Sequence, residues 1–424
     1  MKSSAGTPPG LALRHPAFRR YLLARLFGML GFQMQGVAVG WQVYEITHEP
    51  LHLGYVGLAQ FLPSILLSLV AGEVADRFER RRLLMVCYGL LASCTFALAA
   101  LTLAPSPSVR WIYAVLVMLG VVRAFAGPAA QALVPNLVPS EHFPNAVAWS
   151  SSVWHAAVVV GPALGGFAYA AAGSGSVYVV AALLQLVALA AIGALPLGRV
   201  IAARSEEGGA LQRLVAGLAF VWRKKVILGA ISLDMVAVLL GGAVALLPVY
   251  AKDILHIGPT GLGVLRSAPA LGATVMSLLL AVHPIERRTG LVMFTGVFVF
   301  GLATIAFGLS RSFGVALATL VVLGAADMVS VFVRSNLVQL ATPDGMRGRV
   351  SAVNLAFIGV SNELGEFESG VTAAWLGTEV AVIVGGVGSC VVVLAWMLLF
   401  PALRRVDRMD VESLREDERG AAAQ

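Results

Sequence analysis

Nine of the charged side chains inside apolar runs of this chain are candidates for chemistry: Arg25, Arg123, Asp234, Arg266, Asp327, Arg334, Glu363, Glu366 and Glu368. In an apolar medium each costs about 2.5–3.5 kcal/mol even on the mildest insertion scale, so each needs a partner or a task. Low dielectric favours the neutral form of a carboxylate, which lets such a group exchange a proton near neutral pH. Asp234, Glu363 and Glu366 are therefore proton-coupling candidates, with plain hydrogen bonding to neighbouring helices as the alternative. Asn362 and Glu366 are four residues apart and share a helical face with Ser369, and Glu363 sits one step round. Arg334 follows Asp327 by seven residues on one face, whereas Arg25 and Arg266 lie near the ends of their runs and can extend toward water. Gln35 and Gln42, also seven apart, offer uncharged contacts to a substrate.

Other chemistries are missing. The sequence has no His-Glu-x-x-His, no serine-centred elbow and no phosphate-binding glycine loop. Cys87, Cys94 and Cys390 all fall inside apolar runs and read as small hydrophobes rather than a disulfide framework or a metal pair. His155 stands alone on an apolar stretch and is expected to be packed, not ligating. No catalytic residue, metal or cofactor is expected.

The elements that must position these groups follow from composition. Of 424 residues 58% are hydrophobic and 12% charged, and the mean hydropathy is +0.85. A soluble domain carries about 25% charged residues. This chain is expected to be an all-α integral membrane protein, since lipid offers no partner to an unpaired backbone amide. Continuous runs of about 20 apolar residues exclude a barrel. Twelve spans are expected, at 21–46, 54–74, 83–104, 111–133, 144–170, 177–198, 226–251, 260–282, 290–310, 313–338, 350–376 and 380–401. They group into an N-terminal segment (1–20), a six-helix bundle (21–198), a linker (199–225), a second bundle (226–402) and a charged tail (403–424) expected to fray. Within the linker Leu211 to Lys225 is amphipathic and basic, as a surface helix would be. Trp41, Trp111 and Trp222 lie near span ends and read as interfacial anchors.

The N-terminus, the loops after the even-numbered spans and the tail together hold 23 of the 30 Lys and Arg; the opposite loops hold three, Arg110, Lys252 and Arg311. By the positive-inside rule both termini are cytoplasmic, so the net charge of +7 reflects topology and no nucleic-acid partner is expected. The halves also repeat. An offset of 206 places Val43-Tyr44 on Val249-Tyr250, Gly57 on Gly263, Pro63 on Pro269 and Arg81-Arg82 on Arg287-Arg288. An offset of 204 places Pro139 on Pro343, Ala148 on Ala352, Gly161 on Gly365 and Arg123 on Asp327. Two parallel six-helix repeats about an axis along the membrane normal describe a transporter architecture.

Gly72-Glu73-Val74-Ala75-Asp76-Arg77-Phe78-Glu79-Arg80-Arg81-Arg82 resembles the loop signature of the major facilitator superfamily, and the resemblance covers nearly the whole chain. Trp41 to Thr47, Thr342 to Val350 and Ser361 to Glu366 resemble its branch of drug, macrolide and siderophore exporters, typified by the enterobactin exporter. Glu79 stands where many members have glycine, and the second-half copy, His283 to Arg288, lacks the aspartate. The resemblance implies that Gly72, Asp76, Arg77 and Arg80 form a latch at the cytoplasmic side, where Asp76 faces a helix N-terminus; anchoring of the arginines to anionic headgroups is the alternative. Gly161-Pro162-Ala163-Leu164-Gly165-Gly166 resembles the glycine-proline motif of superfamily antiporters and exporters, where Pro162 removes a backbone hydrogen bond and the glycines allow close packing or bending. In this architecture spans 4 and 10 face one another, so Arg123 and Asp327 are expected either to form a static pair or to handle substrate and proton in turn.

The implied protein is a non-enzymatic secondary transporter of the bacterial inner membrane. It is expected to act as a monomer by alternating access, exporting an amphipathic small molecule against proton influx. An uncoupled facilitator or lipid-type flippase of the same fold is the alternative, and a membrane enzyme or receptor is the reading from another class.

Overall fold

The computed structural model describes residues 10–104, 108–196 and 210–408, and every regular element among them is helical. Helices α1 (Pro16–Thr47), α2 (Pro50–Arg77), α3 (Arg80–Thr102) and α4 (Val109–Leu133) each exceed the roughly 20 residues needed to cross about 30 Å of hydrocarbon. Helix α5 (Phe143–Gly193) has 51 residues, which would extend about 75 Å if straight. It breaks at Ala172 and Gly173, and Gly173 takes φ 76°, which a residue without Cβ adopts without strain. The expected fifth and sixth spans are its two arms.

After α6 (Ala210–Arg223), α7 (Lys225–Leu240) continues through a 3-10 turn (Ala243–Leu246), a single turn α8 (Leu247–Val249) and a π turn (Tyr250–Ile254). Then follow α9 (Gly258–Val282), α10 (Thr289–Gly308), α11 (Phe313–Leu340), α12 (Asp344–Leu376), α13 (Thr378–Leu399) and the short α14 (Pro401–Arg405). Among the described residues, ten stretches are long and apolar enough to cross a membrane. That number takes α5 as one and leaves out α12, which carries three glutamates; with both arms and α12 included, the helices are consistent with twelve spans. Leu66, Leu278, Val391 and Leu398 remain exposed on outer faces, as lipid-facing side chains do.

The chain divides into unit 1, Met1–Gln42 with Ala59–Glu207, and unit 2, Val43–Leu58 with Gly208–Gln424. The α1–α2 connection, expected in the first bundle, thus groups with unit 2. The physical reason is local: the Tyr44 hydroxyl donates to Asp253 in the π turn, Tyr44 and Leu53 pack on Val249, and Gly54 lies against Phe367 and Gly370 of α12.

The sequence repeat reappears in the packing of each unit. Gly120 of α4 abuts Gln60 and Pro63 of α2, and Gly324 of α11 abuts Pro269 of α9. Gly161 of α5 abuts Gln33 of α1, and Gly365 of α12 abuts Leu239 of α7. Subtracting 204 from each second-half glycine and 206 from its neighbour returns the first-half pair. Pro139 (φ −58°, ψ 154°) and Pro343 (φ −59°, ψ 149°) also start their helices with one backbone conformation.

Two elements depart from expectation. Trp41 is buried edge-on against Tyr169, not interfacial, while Trp111 and Trp222 are exposed. Of the two roles open to the glycine-proline motif, bending or close packing, the helix shows the second, running uninterrupted through Pro162 and breaking only ten residues later. The tail is ordered to Arg408, because Thr289 and Gly290 at the start of α10 donate their backbone N–H groups to the carbonyls of Asp407 and Val406. Those are donors that a helix cannot satisfy internally. The remainder of the tail and the first part of the linker, 199–209, lie outside the described residues.

Candidate functional site

Within unit 2, α11 carries Asp327, Ser330 and Arg334 at intervals of three and four, which sets them on one face. Helix α7 brings Asp234 against that face. The Arg334 guanidinium donates from Nη1 to Asp234 Oδ2 at 2.5 Å, and the Ser330 hydroxyl donates to Asp234 Oδ1 at 2.9 Å. Arg334 and Asp234 are 2% and 4% exposed. The half-buried Asp327 supplies a second carboxylate within electrostatic range of both. Ala237, Val238, Val297 and Phe300 complete a cavity on the scale of one water molecule, lined also by Asp234, Asp327 and Ser330. One guanidinium therefore serves two carboxylates in an apolar wall.

The described contacts of Arg123 lie in unit 1, where its Nη1 is 3.4 Å from Gln60 Oε1 and its guanidinium covers the Phe32 ring at 4.6 Å. Arg123 and Asp327, expected as partners, thus each make described contacts within their own unit. The cation beside Asp327 is Arg334.

Gln35 and Gln42, expected as substrate contacts, are instead buried (2% and 6% exposed) in hydrogen bonds that tie α1 to α3 and to the second arm of α5. Thr95 Oγ1 lies 2.7 Å from the Gln35 side-chain amide and 2.9 Å from that of Gln185. One helix turn-pair further, Gln42 donates to Thr102 at 3.0 Å and accepts from the Tyr178 hydroxyl at 2.7 Å. A buried amide costs about 1–3 kcal/mol when left unsatisfied, so these rungs fix the bundle.

On α12, Asn362 is exposed and donates to the Ile358 carbonyl of its own helix at 2.9 Å. Glu363 and Glu366 are half-buried, and the Glu366 side chain lies beside Gly57 of α2. Glu368 accepts from Thr372 at 2.7 Å.

The described contacts of Arg77, Arg80 and Arg81, in and after the end of α2, lie within unit 1. Arg77 lies 3.6 Å from Glu73, both exposed, a pair of little energetic weight. Arg80, expected in the latch, donates to the Ala132 carbonyl at 2.6 Å and to Asn136 Oδ1 at 2.8 Å, so it closes the end of α4. Arg81 and Arg20 likewise donate to the Gly193 and Ala194 carbonyls at the end of α5. Cations at helix C-termini satisfy orphan carbonyls and oppose the helix dipole. Gly72, expected to permit a close approach, has no described atom within 4 Å of where a Cβ would sit. The Asp76 side chain lies outside the described residues. Gly161, Pro162, Gly165 and Gly166 are all buried, and a Cβ on Gly165 would come within 2.8 Å of the Met34 backbone. That motif seats α5 on α1.

Sequence reasoning passed over Ser330, although its spacing from Asp327 and Arg334 put it on their face. It also missed Thr95, Thr102, Tyr178 and Gln185, whose types carry no signal until the helices meet. Outside the spans, Glu379 holds the Arg311 guanidinium above its ordinary value through a hydrogen bond from Arg311 Nη2, 2.7 Å long and open to solvent.

The model of the transmembrane secretion effector family matches residues 8–421. The chain is 28% identical over 398 residues to a Citrobacter koseri protein named enterobactin exporter EntS, covering 92% of this chain and 93% of that one. It is 26% identical over the same length to the enterobactin exporter EntS of Escherichia coli O1:K1, with the same coverage. Among solved structures, a bacterial homolog of the human lysosomal transporter Spinster, inward-facing and unoccupied, superposes with a TM-score of 0.71 at 15% identity, over 97% of this chain and 99% of that one. A mutant of the peptide transporter POT superposes with a TM-score of 0.74 at 10% identity, over 93% and 96%. The chain, a multi-pass membrane transporter and not an enzyme, belongs to the transmembrane secretion effector family of the major facilitator superfamily.

Proposed function

We propose that this protein is a proton-coupled exporter of an amphipathic small molecule of the siderophore, macrolide or drug class, working by alternating access in the bacterial inner membrane. The observation that carries this reading is the cluster of buried Asp234 and Arg334 with half-buried Asp327. With both carboxylates ionised the cluster holds one net negative charge in low dielectric; one proton makes it neutral. Arg334 and Ser330 occupy both oxygens of Asp234, which leaves Asp327 as the group that gains and loses that proton. A charge that appears and disappears inside a bundle biases the conformations between which a transporter moves. Relatives named as enterobactin exporters support export and the siderophore class. The 23-to-3 division of basic residues supports cytoplasmic termini.

The test is uptake of a catecholate siderophore by respiring everted membrane vesicles, whose interior is acidic. Accumulation above the external concentration is expected, with collapse on addition of a protonophore and loss in Asp327→Asn. Equilibration without accumulation, indifferent to the protonophore, would establish the facilitator or flippase instead. Chemical alteration of the substrate would establish an enzyme.

A further inference from the structure

Helix α6 is apolar on two sides. On one, Val221 is buried and Leu214 and Phe220 pack against Ile227 and Ile231 of α7, Val338 of α11, and Val350 and Val353 of α12. Gly217 sits close to the Arg349 backbone, which brings the helix down onto α12. These contacts fix its depth. Helix α7 starts at Lys225, α11 ends at Leu340 and α12 starts at Asp344, so α6 rests on residues within about two and a half turns of three helix ends. On the other side Val215, Leu218 and Trp222 form a stripe at intervals of three and four, and all three are exposed, Trp222 by 66%. Three cations, Arg223, Lys224 and Lys225, follow at once, and Arg223 and Lys225 are exposed.

An exposed apolar stripe would be a liability in water, but at this level the surroundings are the headgroup layer. There an indole is at home and apolar side chains reach the acyl boundary. Lysine and arginine beside such a stripe attract anionic lipid, each by about fivefold in local enrichment. We propose that α6 is an interfacial helix whose Val215–Leu218–Trp222 face lies among the lipids, and whose Arg223–Lys225 end binds the phosphates of anionic phospholipids. The leaflet is the one that the basic residues assign to the cytoplasm. Neither α6 nor its lipid takes part in the proton chemistry above, so the proposal stands or falls separately.

The full-length protein, with Cys87, Cys94 and Cys390 replaced, would carry single nitroxides at Gln212, Val215, Leu218 or Trp222. It would be reconstituted in phosphatidylcholine alone or with phosphatidylglycerol. Collisions with oxygen should exceed those with a water-soluble nickel chelate at positions 215, 218 and 222, with the reverse at 212. Dominance of the chelate at every position would show a face in water, and protection from both reagents would show a face covered by protein; either overturns the proposal. Native mass spectrometry on wild type should retain phosphatidylglycerol preferentially. The triple variant Arg223→Gln, Lys224→Gln, Lys225→Gln should lose that preference, and an unchanged preference overturns the lipid-binding end. Should the labelled variants fail to fold, quenching of native tryptophan fluorescence by brominated lipid serves the same purpose. Trp222→Phe should then remove a quenched component, and no change in quenching overturns the placement.

Discussion

Arg334 is the side chain on which the interior of unit 2 turns. It is almost wholly buried, it holds Asp234, and its Nε has no partner among the described residues, so its charge depends on the carboxylates beside it. Replacing it with methionine strands two acids in an apolar wall, which should cost about 3–5 kcal/mol. The expected result is loss of the monodisperse peak and a lower melting temperature in detergent. Asp234→Asn combined with Arg334→Met should recover most of that stability, because no unpaired charge remains. A pair in which the double variant is as unstable as Arg334→Met alone would not be the pair described. In unit 1 the corresponding key is Thr95. Its hydroxyl has one proton for three neighbours, the two amides and the Leu91 carbonyl at 2.8 Å, so at least one glutamine must turn its N–H toward it. Thr95→Val removes both roles and should destabilise by about 1–3 kcal/mol, whereas Thr95→Ser should be near neutral. Thermal unfolding of the purified variants checks both.

At the scale of elements, glycines of similar sequence context have different tasks. Gly165 lets α5 rest on the backbone of α1 at Met34, so Gly165→Val should separate the two helices and abolish folded protein on size-exclusion chromatography. Gly72 lies in the stronger sequence motif, yet no described atom lies within 4 Å of where its Cβ would sit. Gly72→Ala should leave the melting temperature unchanged, and any loss of transport in it then marks a contact made in another conformation. The same distinction separates the arginines of this loop. Arg80 and Arg81 close the ends of α4 and α5, so their substitution should lower stability; Arg77, exposed beside Glu73, should be silent in the same assay.

At the scale of the whole molecule, the proposed orientation rests on charge. Single cysteines at Ser3, Ser205 and Ala422, in a background without native cysteines, should resist an impermeant thiol reagent in intact cells and react once the membrane is opened. Labelling of Ser205 from outside would invert the assignment of every loop. The exposed leucines and valines of the outer faces make the detergent or lipid part of the folded state, so stabilities of variants compare only within one such medium.

What the sequence by itself determined was whatever depends on local or summed properties. Composition dictated the membrane, run length dictated the spans, and the 204–206 offset exposed the repeat that reappears as Gly120 on Pro63 and Gly324 on Pro269. What only the tertiary structure decided was partnership. Asp234 and Arg334 are a hundred residues apart and meet because α7 lies against α11. Gln35 and Gln42 looked available for a substrate because a helical face has no label for what covers it; the answer, Thr95, Thr102, Gln185 and Tyr178, lies on helices α3 and α5. A buried polar group must find a partner, but many partners of equal chemistry are available along the chain, and only the packing of one helix against another selects among them.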